Sequence, residues 1–568
     1  MNSLKFEATL SKLLMVGPAF VSLFLVINSV SDPVNAPKLA VLGSLGFACF
    51  GLLLTSNLKR TWQESRVLVL IALLFTIAML NSVLNSKSPI VQNLYGVYGR
   101  NTGFITYVSL VFTLFGALQV RKDRTFELLI YGFFIVGAVN VLYCGWVLAF
   151  GDFIPWNNPY KSILGLFGNP DFVSAFLGMF ISGLFAFFVA SKKRLWVRLC
   201  AIVFSVVAFI EVVKSHAIQG IAVSVLGIGI VFFFLIRSRT HSIALSLIYS
   251  ISALTAGVLG ILGTLQIGPL SFIYKKSVSL RGSYWRAGIN MGSKHPLTGI
   301  GMDSYGDSYR SARPPVALID TPGPKVTSNA AHNVFVDIFA YGGWPLFATY
   351  VAILAVTLIS IIRVIRRGRT YNPIFVTLTV VWATYLLQSI ISINQIGLAV
   401  WGWVTCGALV AFEIMTRQTH QTQEAKPGTL GRNRIRTREE FLTPTLVVGT
   451  SALVGLFIAI PPMNGDLKWK AALDSKSVNK VEAAMSPSYL NPASSFKYAS
   501  VVSLLSENGF NDAAYKYAKI AVEFNPDFSD SWRQLYSLPQ STPEEKKNAL
   551  KNIKRLDPNN LDPLGLKP

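Results

Sequence analysis

A polar insert ending at His332-Asn333 holds the side chains best suited to chemistry. It reads Arg281-Gly-Ser-Tyr-Trp-Arg286, then His295-Pro-Leu-Thr-Gly-Ile-Gly301. The apolar run that follows carries Asp337 and Tyr341-Gly-Gly-Trp-Pro345. Guanidinium forks pair with phosphate oxygens through parallel hydrogen bonds, and aromatic faces suit sugar rings or lipid headgroups. At the start of a helix the dipole disfavours an imidazolium, so His332 is expected to be neutral and able to take a hydroxyl proton. Helix capping by Ser328, Asn329, His332 and Asn333 explains the same residues equally well. Asp337 lies one turn beyond Asn333 and shares its face. For Arg281, Tyr284, Trp285 and Arg286 the plainer alternative is an interfacial helix with snorkelling arginines and aromatic anchors. Gly299, Gly301 and Gly306 permit a tight turn, and Lys275, Lys276, Arg310, Arg313 and Lys325 make the insert net basic, which a solvated loop explains equally well.

The elements that must position these residues are membrane helices. The chain has 568 residues, 52% hydrophobic and 14% charged, with mean hydropathy +0.48. That composition excludes an ordinary soluble domain. Apolar runs of about 20 residues recur and predict about thirteen spans in an all-α polytopic protein. They fall near 12–30, 38–56, 67–85, 102–120, 126–150, 171–191, 195–213, 217–236, 241–266, 333–362, 373–393, 396–416 and 441–462. Four parts follow: a membrane core 1–416 with a large loop 267–332, a flexible linker 417–440, a further span 441–462, and a helical tail 463–568.

The net charge of +23 is no nucleic-acid footprint, because of where it sits. With the N-terminus inside, inner loops collect clusters such as Arg121-Lys122, Lys192-Lys193-Arg194 and Arg366-Arg367. The short outer loops hold Lys87, Arg100, Lys161 and Lys214. This is the positive-inside bias, and it puts the insert and the tail outside the cytoplasm. Pro37 after Val34-Asn-Ala36 disfavours signal cleavage, so the first span is retained. Cys49, Cys144, Cys200 and Cys406 read as small buried apolar residues, without metal or disulfide spacing.

Two outer turns add polar groups. Tyr95-Gly-Val-Tyr-Gly-Arg100-Asn-Thr-Gly103 brings an arginine between glycines, and Phe167-Gly-Asn169-Pro-Asp171 opens another span. Glu211 and Lys214 near a third turn are expected to neutralise one another, with His216 and Gln219 beside them. In the tail, Asn491-Pro492, Asn525-Pro526 and Asp557-Pro558 recur at a near-constant interval. Small residues at helical spacing before the second make it similar to tetratricopeptide repeats, though an unrelated helical bundle fits too. About two repeats are too few for a free solenoid, so the tail is expected to lean on the membrane domain or a protein partner.

Together these landmarks resemble the O-antigen ligase and polymerase superfamily, which includes bacterial protein O-oligosaccharyltransferases. The resemblance rests on Gly96 to Arg100, Phe167 to Asp171, Arg281 to Trp285, Pro296 to Gly301, His332-Asn333 and Gly342-Gly343, in that order. It implies metal-independent glycan transfer, without cofactor, from undecaprenyl pyrophosphate to a lipid, protein or polymer acceptor at the outer face of a bacterial inner membrane. By the resemblance His332 helps activate the acceptor or stabilise the leaving pyrophosphate, and Arg281 or Arg286 grips that pyrophosphate. Arg100, Asn169, Trp285 and Asn333 support them. Many relatives carry Ser-Arg-Gly at mid-chain; here Ser215-His216-Ala-Ile-Gln219-Gly220 stands there, leaving Lys214, His216 or Gln219 as substitutes. A repeat-unit polymerase shares the same chemistry. From other classes, a transporter predicts charges deep within spans, and a scaffold predicts a dispensable His332.

Overall fold

The computed structural model describes residues 3–155, 158–264, 266–273, 276–319, 323–424, 444–562 and 564. Helices α1 (Ser3–Leu23), α2 (Asn35–Thr55) and α3 (Leu58–Leu84) are followed by the short α4 (Ile90–Tyr95), then α5 (Phe104–Ala117) and α6 (Asp123–Phe150). A second group comprises α7 (Pro170–Phe188), α8 (Leu195–Lys214), α9 (Ile218–Thr240) and α10 (Ile243–Thr264). The insert folds into α11 (Lys276–Lys294), α12 (Tyr305–Ala312) and α13 (Val316–Ile319). Three core helices close the bundle: α14 (Val334–Arg367), α15 (Pro373–Ile391) and α16 (Ile396–Glu424).

Among the described residues eleven helices are long and apolar enough to cross a membrane. Adding the shorter α5 and one bent pair accounts for every expected span, so this is a multi-pass all-α membrane protein. The first span lies earlier than 12–30, because the polar stretch Asn28–Asp32 ends it at Leu23. The last expected span is α17 (Pro444–Ala459), bent by 47° into α18 (Pro461–Asp474). Residues 417–424 of the expected linker continue α16, while 425–440, 441–443 and Lys275 lie outside the described residues.

Small residues set the packing. The α2–α17 contact is built on Gly43 and Gly51 facing Gly455 and Ser451, where a Cβ on Gly43 would meet the Gly455 carbonyl at 2.8 Å. The α7–α9 contact uses Gly178 and Gly220 in the same way. Without a hydrophobic drive between helices in lipid, such close approach supplies the dispersion contact that holds them. Three cysteines are buried as expected; Cys200 is exposed on α8. Glu211 does not pair with Lys214: it is buried, with neither carboxylate oxygen hydrogen-bonded, while Lys214 is exposed.

Helix α14 carries the main irregularity. Pro345 has no N–H to give the Tyr341 carbonyl, and Gly343 adopts φ +62°. The insert fills the break. Gly301 N–H donates to Tyr341 O (3.1 Å), Ile300 N–H to Ala340 O (3.0 Å) and Trp344 N–H to Pro296 O (2.8 Å). The Pro296–Gly301 and Gly342-Gly343 motifs are therefore two halves of one backbone joint.

The tail continues from α18 through α19 (Val478–Ala484), α20 (Ser495–Glu507), α21 (Asn511–Phe524), α22 (Ser529–Ser537) and α23 (Pro543–Leu556) around its own core. It is bolted to the insert through two of its three Asx-Pro positions. Asn525 donates to the buried Asp307 (3.1 Å), and Arg313 Nη2 donates to both carboxylate oxygens of Asp557 at 2.7 Å, both side chains fully buried.

Candidate functional site

Arg100 sits on a turn that only glycines permit. Gly96 and Gly99 have φ of +87° and +80°. The buried Asp303 of the insert clamps this turn, accepting from Val97 N–H (2.9 Å) and Thr102 N–H (3.2 Å). Asn35 donates to the Gly99 carbonyl at 2.8 Å, and the Arg100 guanidinium donates to Asn329. Burial raises the Asp303 carboxyl pKa, against the pull of Arg100 and the two backbone donors.

His332 is placed by the start of α14. Asn333 caps the helix, accepting from Phe335 N–H (3.0 Å) and Val336 N–H (3.2 Å). Asp337 reaches back to accept from Ala331 N–H at 2.7 Å. Capping and chemistry are thus divided between neighbours: Asn333 and Asp337 hold the backbone, and the half-buried His332, at φ +55°, is turned out of the helix. Its ring lies 5.7 Å from that of Tyr284. Burial, then the charges of Arg100 and Arg281, push its pKa down to about 3. The imidazole is therefore neutral, as expected, but its basicity is held low.

Arg281 lies on α11 with its guanidinium 3.5 Å from Asp171 at the start of α7. Burial lowers its pKa and Asp171 opposes that shift. Asn169 caps α7 by accepting from Asp171 N–H (2.8 Å) and offers its amide to the Tyr160 hydroxyl at 3.1 Å. Arg100, Asn169, Asp171 and His332 all line one cavity of about 670 Å³. Loops between α1 and α2, α4 and α5, and α15 and α16 wall it. A narrow recess beneath Arg100 reaches Tyr107, Asp337 and Asn394.

Other expected residues fall elsewhere. Arg286 is exposed on α11 and does not line the cavity; five residues from Arg281 turns it well round the helix. Trp285 is half-buried against the core, its indole N–H without a partner. Gln219 is buried in the bundle, 3.4 Å from Gln388, and His216 is exposed. Neither they nor Lys214 line the cavity. Sequence reasoning missed Asp303, Asn35, Tyr98 and Lys470. Asp303 carried a signal, a lone acid after Pro-Leu-Thr-Gly-Ile-Gly; Lys470 carried none. Among the described residues no cluster of three His, Cys, Asp or Glu forms a metal-binding group.

The chain matches no curated protein. Residues 173–351 match the family model described as O-antigen ligase. That stretch runs from α7 into α14 and contains Arg281, Asp303 and His332, so over it the chain is similar to O-antigen ligases, in line with its ordered motifs.

Proposed function

We propose that this membrane glycosyltransferase moves a glycan from undecaprenyl pyrophosphate to an acceptor hydroxyl at the outer face of a bacterial inner membrane. The observation that supports this best is one cavity lined by Arg100 and His332, with Arg281 paired to its Asp171 wall. Two guanidiniums suit a pyrophosphate, whose departure leaves charge that must be neutralised. The acceptor oxygen attacks the anomeric carbon, the carbon–oxygen bond to pyrophosphate breaks, and the hydroxyl proton passes to His332. The lipid pyrophosphate leaves with the bonding electron pair.

His332 acquires basicity from the donor itself. In the free protein burial and two cations keep it neutral. An anion between Arg100 and Arg281 offsets their charge, which favours imidazolium just when a proton must be taken. The same arrangement serves a polymerase, in which the acceptor is a second lipid-linked chain. Asn333 and Asp337 are positioning residues, and Asn169 holds the α7 corner.

The test is surface glycan attachment in cells lacking the protein, complemented with wild type, His332→Ala or Arg281→Ala at matched membrane abundance. Both variants are expected to leave glycan on its lipid carrier. Wild-type attachment by both would sink this reading and favour a scaffold.

A further inference from the structure

The cavity is not closed by the membrane core alone. Helix α18 of the tail contributes Lys470 to its wall, on the same wall set as Tyr98, Arg100, Asn169 and His332. The reason lies one turn earlier. Asp466 is fully buried and accepts from Ser31 N–H (2.9 Å), Asp32 N–H (2.8 Å) and the Tyr98 hydroxyl (2.7 Å). Positions four apart share a helix face, so the clamp that seats Asp466 on the α1–α2 loop also directs Lys470 to the cavity side. Phe496 of α20 stacks on Tyr98 at 4.7 Å, adding a second tail contact to the turn that carries Arg100.

Lys470 has one ionic partner among the described residues, Asp474 on its own helix, and that carboxylate is 55% exposed. An exposed pair one turn apart is weak and easily exchanged. The four-carbon stem lets the ammonium re-aim without moving the helix.

We infer that Lys470 is a binding residue for the diphosphate of the donor, so that the tail completes the site rather than merely flanking it. This rests on the proposed function, because it takes the cavity's ligand to be a prenyl diphosphate. Arg100 and Lys470 then grip the anion from the core and from the tail. The tail's docking through Asp557 and Asn525 becomes a condition for binding.

The test measures binding of farnesyl diphosphate to the purified full-length protein in detergent, by calorimetry at fixed ionic strength. Lys470→Ala and Lys470→Gln are expected to weaken binding about tenfold, the size of one lost charge-assisted hydrogen bond. Lys470→Arg should restore affinity to about twofold of wild type, and Asp474→Ala should leave it equal or tighter. A merely structural lysine would not discriminate Arg from Gln in this way. Limited proteolysis between α17 and α18 checks that the tail stays docked in each variant. Wild-type affinity in Lys470→Gln, with Arg100→Ala weakened, overturns the role of Lys470 and leaves the cavity reading intact. Wild-type affinity in both overturns the diphosphate reading itself.

Discussion

Arg281 and Arg313 belong to the same insert, yet their surroundings differ in every respect that matters. Arg281 is 15% exposed, with one carboxylate at 3.5 Å that is itself 44% exposed and lies beside an open cavity. Arg313 has no exposed side-chain surface and is held bidentately by an Asp557 that is equally buried. A buried charge whose partner is equally buried is committed to that pair and presents no surface to a ligand. A guanidinium with a loose, solvated partner at a cavity wall keeps donors to spare. Exposure and partner quality, not residue type, separate the arginine proposed to bind from the one that bolts.

The largest effect should come from breaking the bolt. Arg313→Ala removes the nearest cation from the buried Asp557, leaving Arg310 at 3.7 Å and Arg533 at 3.8 Å, and should cost about 3 kcal/mol of tail docking. Protease sensitivity of the tail reads this out. The pair Arg313→Met with Asp557→Leu should recover most of it, and an undisturbed tail in Arg313→Ala would contradict the comparison. His332→Ala should lower transfer by about 10²–10⁴-fold while leaving the melting temperature near wild type. Equal losses of stability and transfer would make His332 a structural residue instead.

Asn333→Ala separates the cap from the chemistry. It should cost about 1 kcal/mol and reduce transfer by less than His332→Ala, through a loosened α14 start. A milder effect lies in the pH profile. His332 has a folded pKa of about 3, below its ordinary 6.5, so it binds fewer protons folded than unfolded. Its contribution to stability is complete above 6.5 and is lost as pH falls from there towards 3. His332→Gln should therefore lose less melting temperature than wild type between pH 7 and 5, and parallel curves would show the ring is not depressed. Smallest of all, Arg286→Ala should bind farnesyl diphosphate within about twofold of wild type, since its side chain faces solvent away from the cavity.

Much of this was readable in advance because lipid leaves few options. Backbone groups in hydrocarbon must bond within helices, so apolar runs of sufficient length locate the spans, and the short α5 and broken α17–α18 pair still fell where runs were expected. His332, Arg100 and Asn169 stood out in the sequence as polar groups in turns at span ends, and the fold brings all three to one cavity. Arg281 and Arg286 could not be told apart, since each fits a phosphate by its type, and only the rotation of α11 puts one beside the cavity. Likewise Gln219 reads as a binder from its place near a turn, whereas the packing of α9 buries it against Gln388.

By itself the sequence determined the membrane class, the places of the spans, the capped start of α14 and the ordered ligase-like motifs. These are local properties, set by hydropathy, by proline and glycine geometry, and by side-chain type. Tertiary structure alone decided which charges face one another. It gave Asp303 to the Arg100 turn, joined Pro296–Gly301 to the break at Gly343, and brought Lys470 over a cavity formed hundreds of residues earlier in the chain. Such pairings depend on how close small residues let helices approach, as Gly43 and Gly455 do, and no local pattern encodes the partner that approach selects.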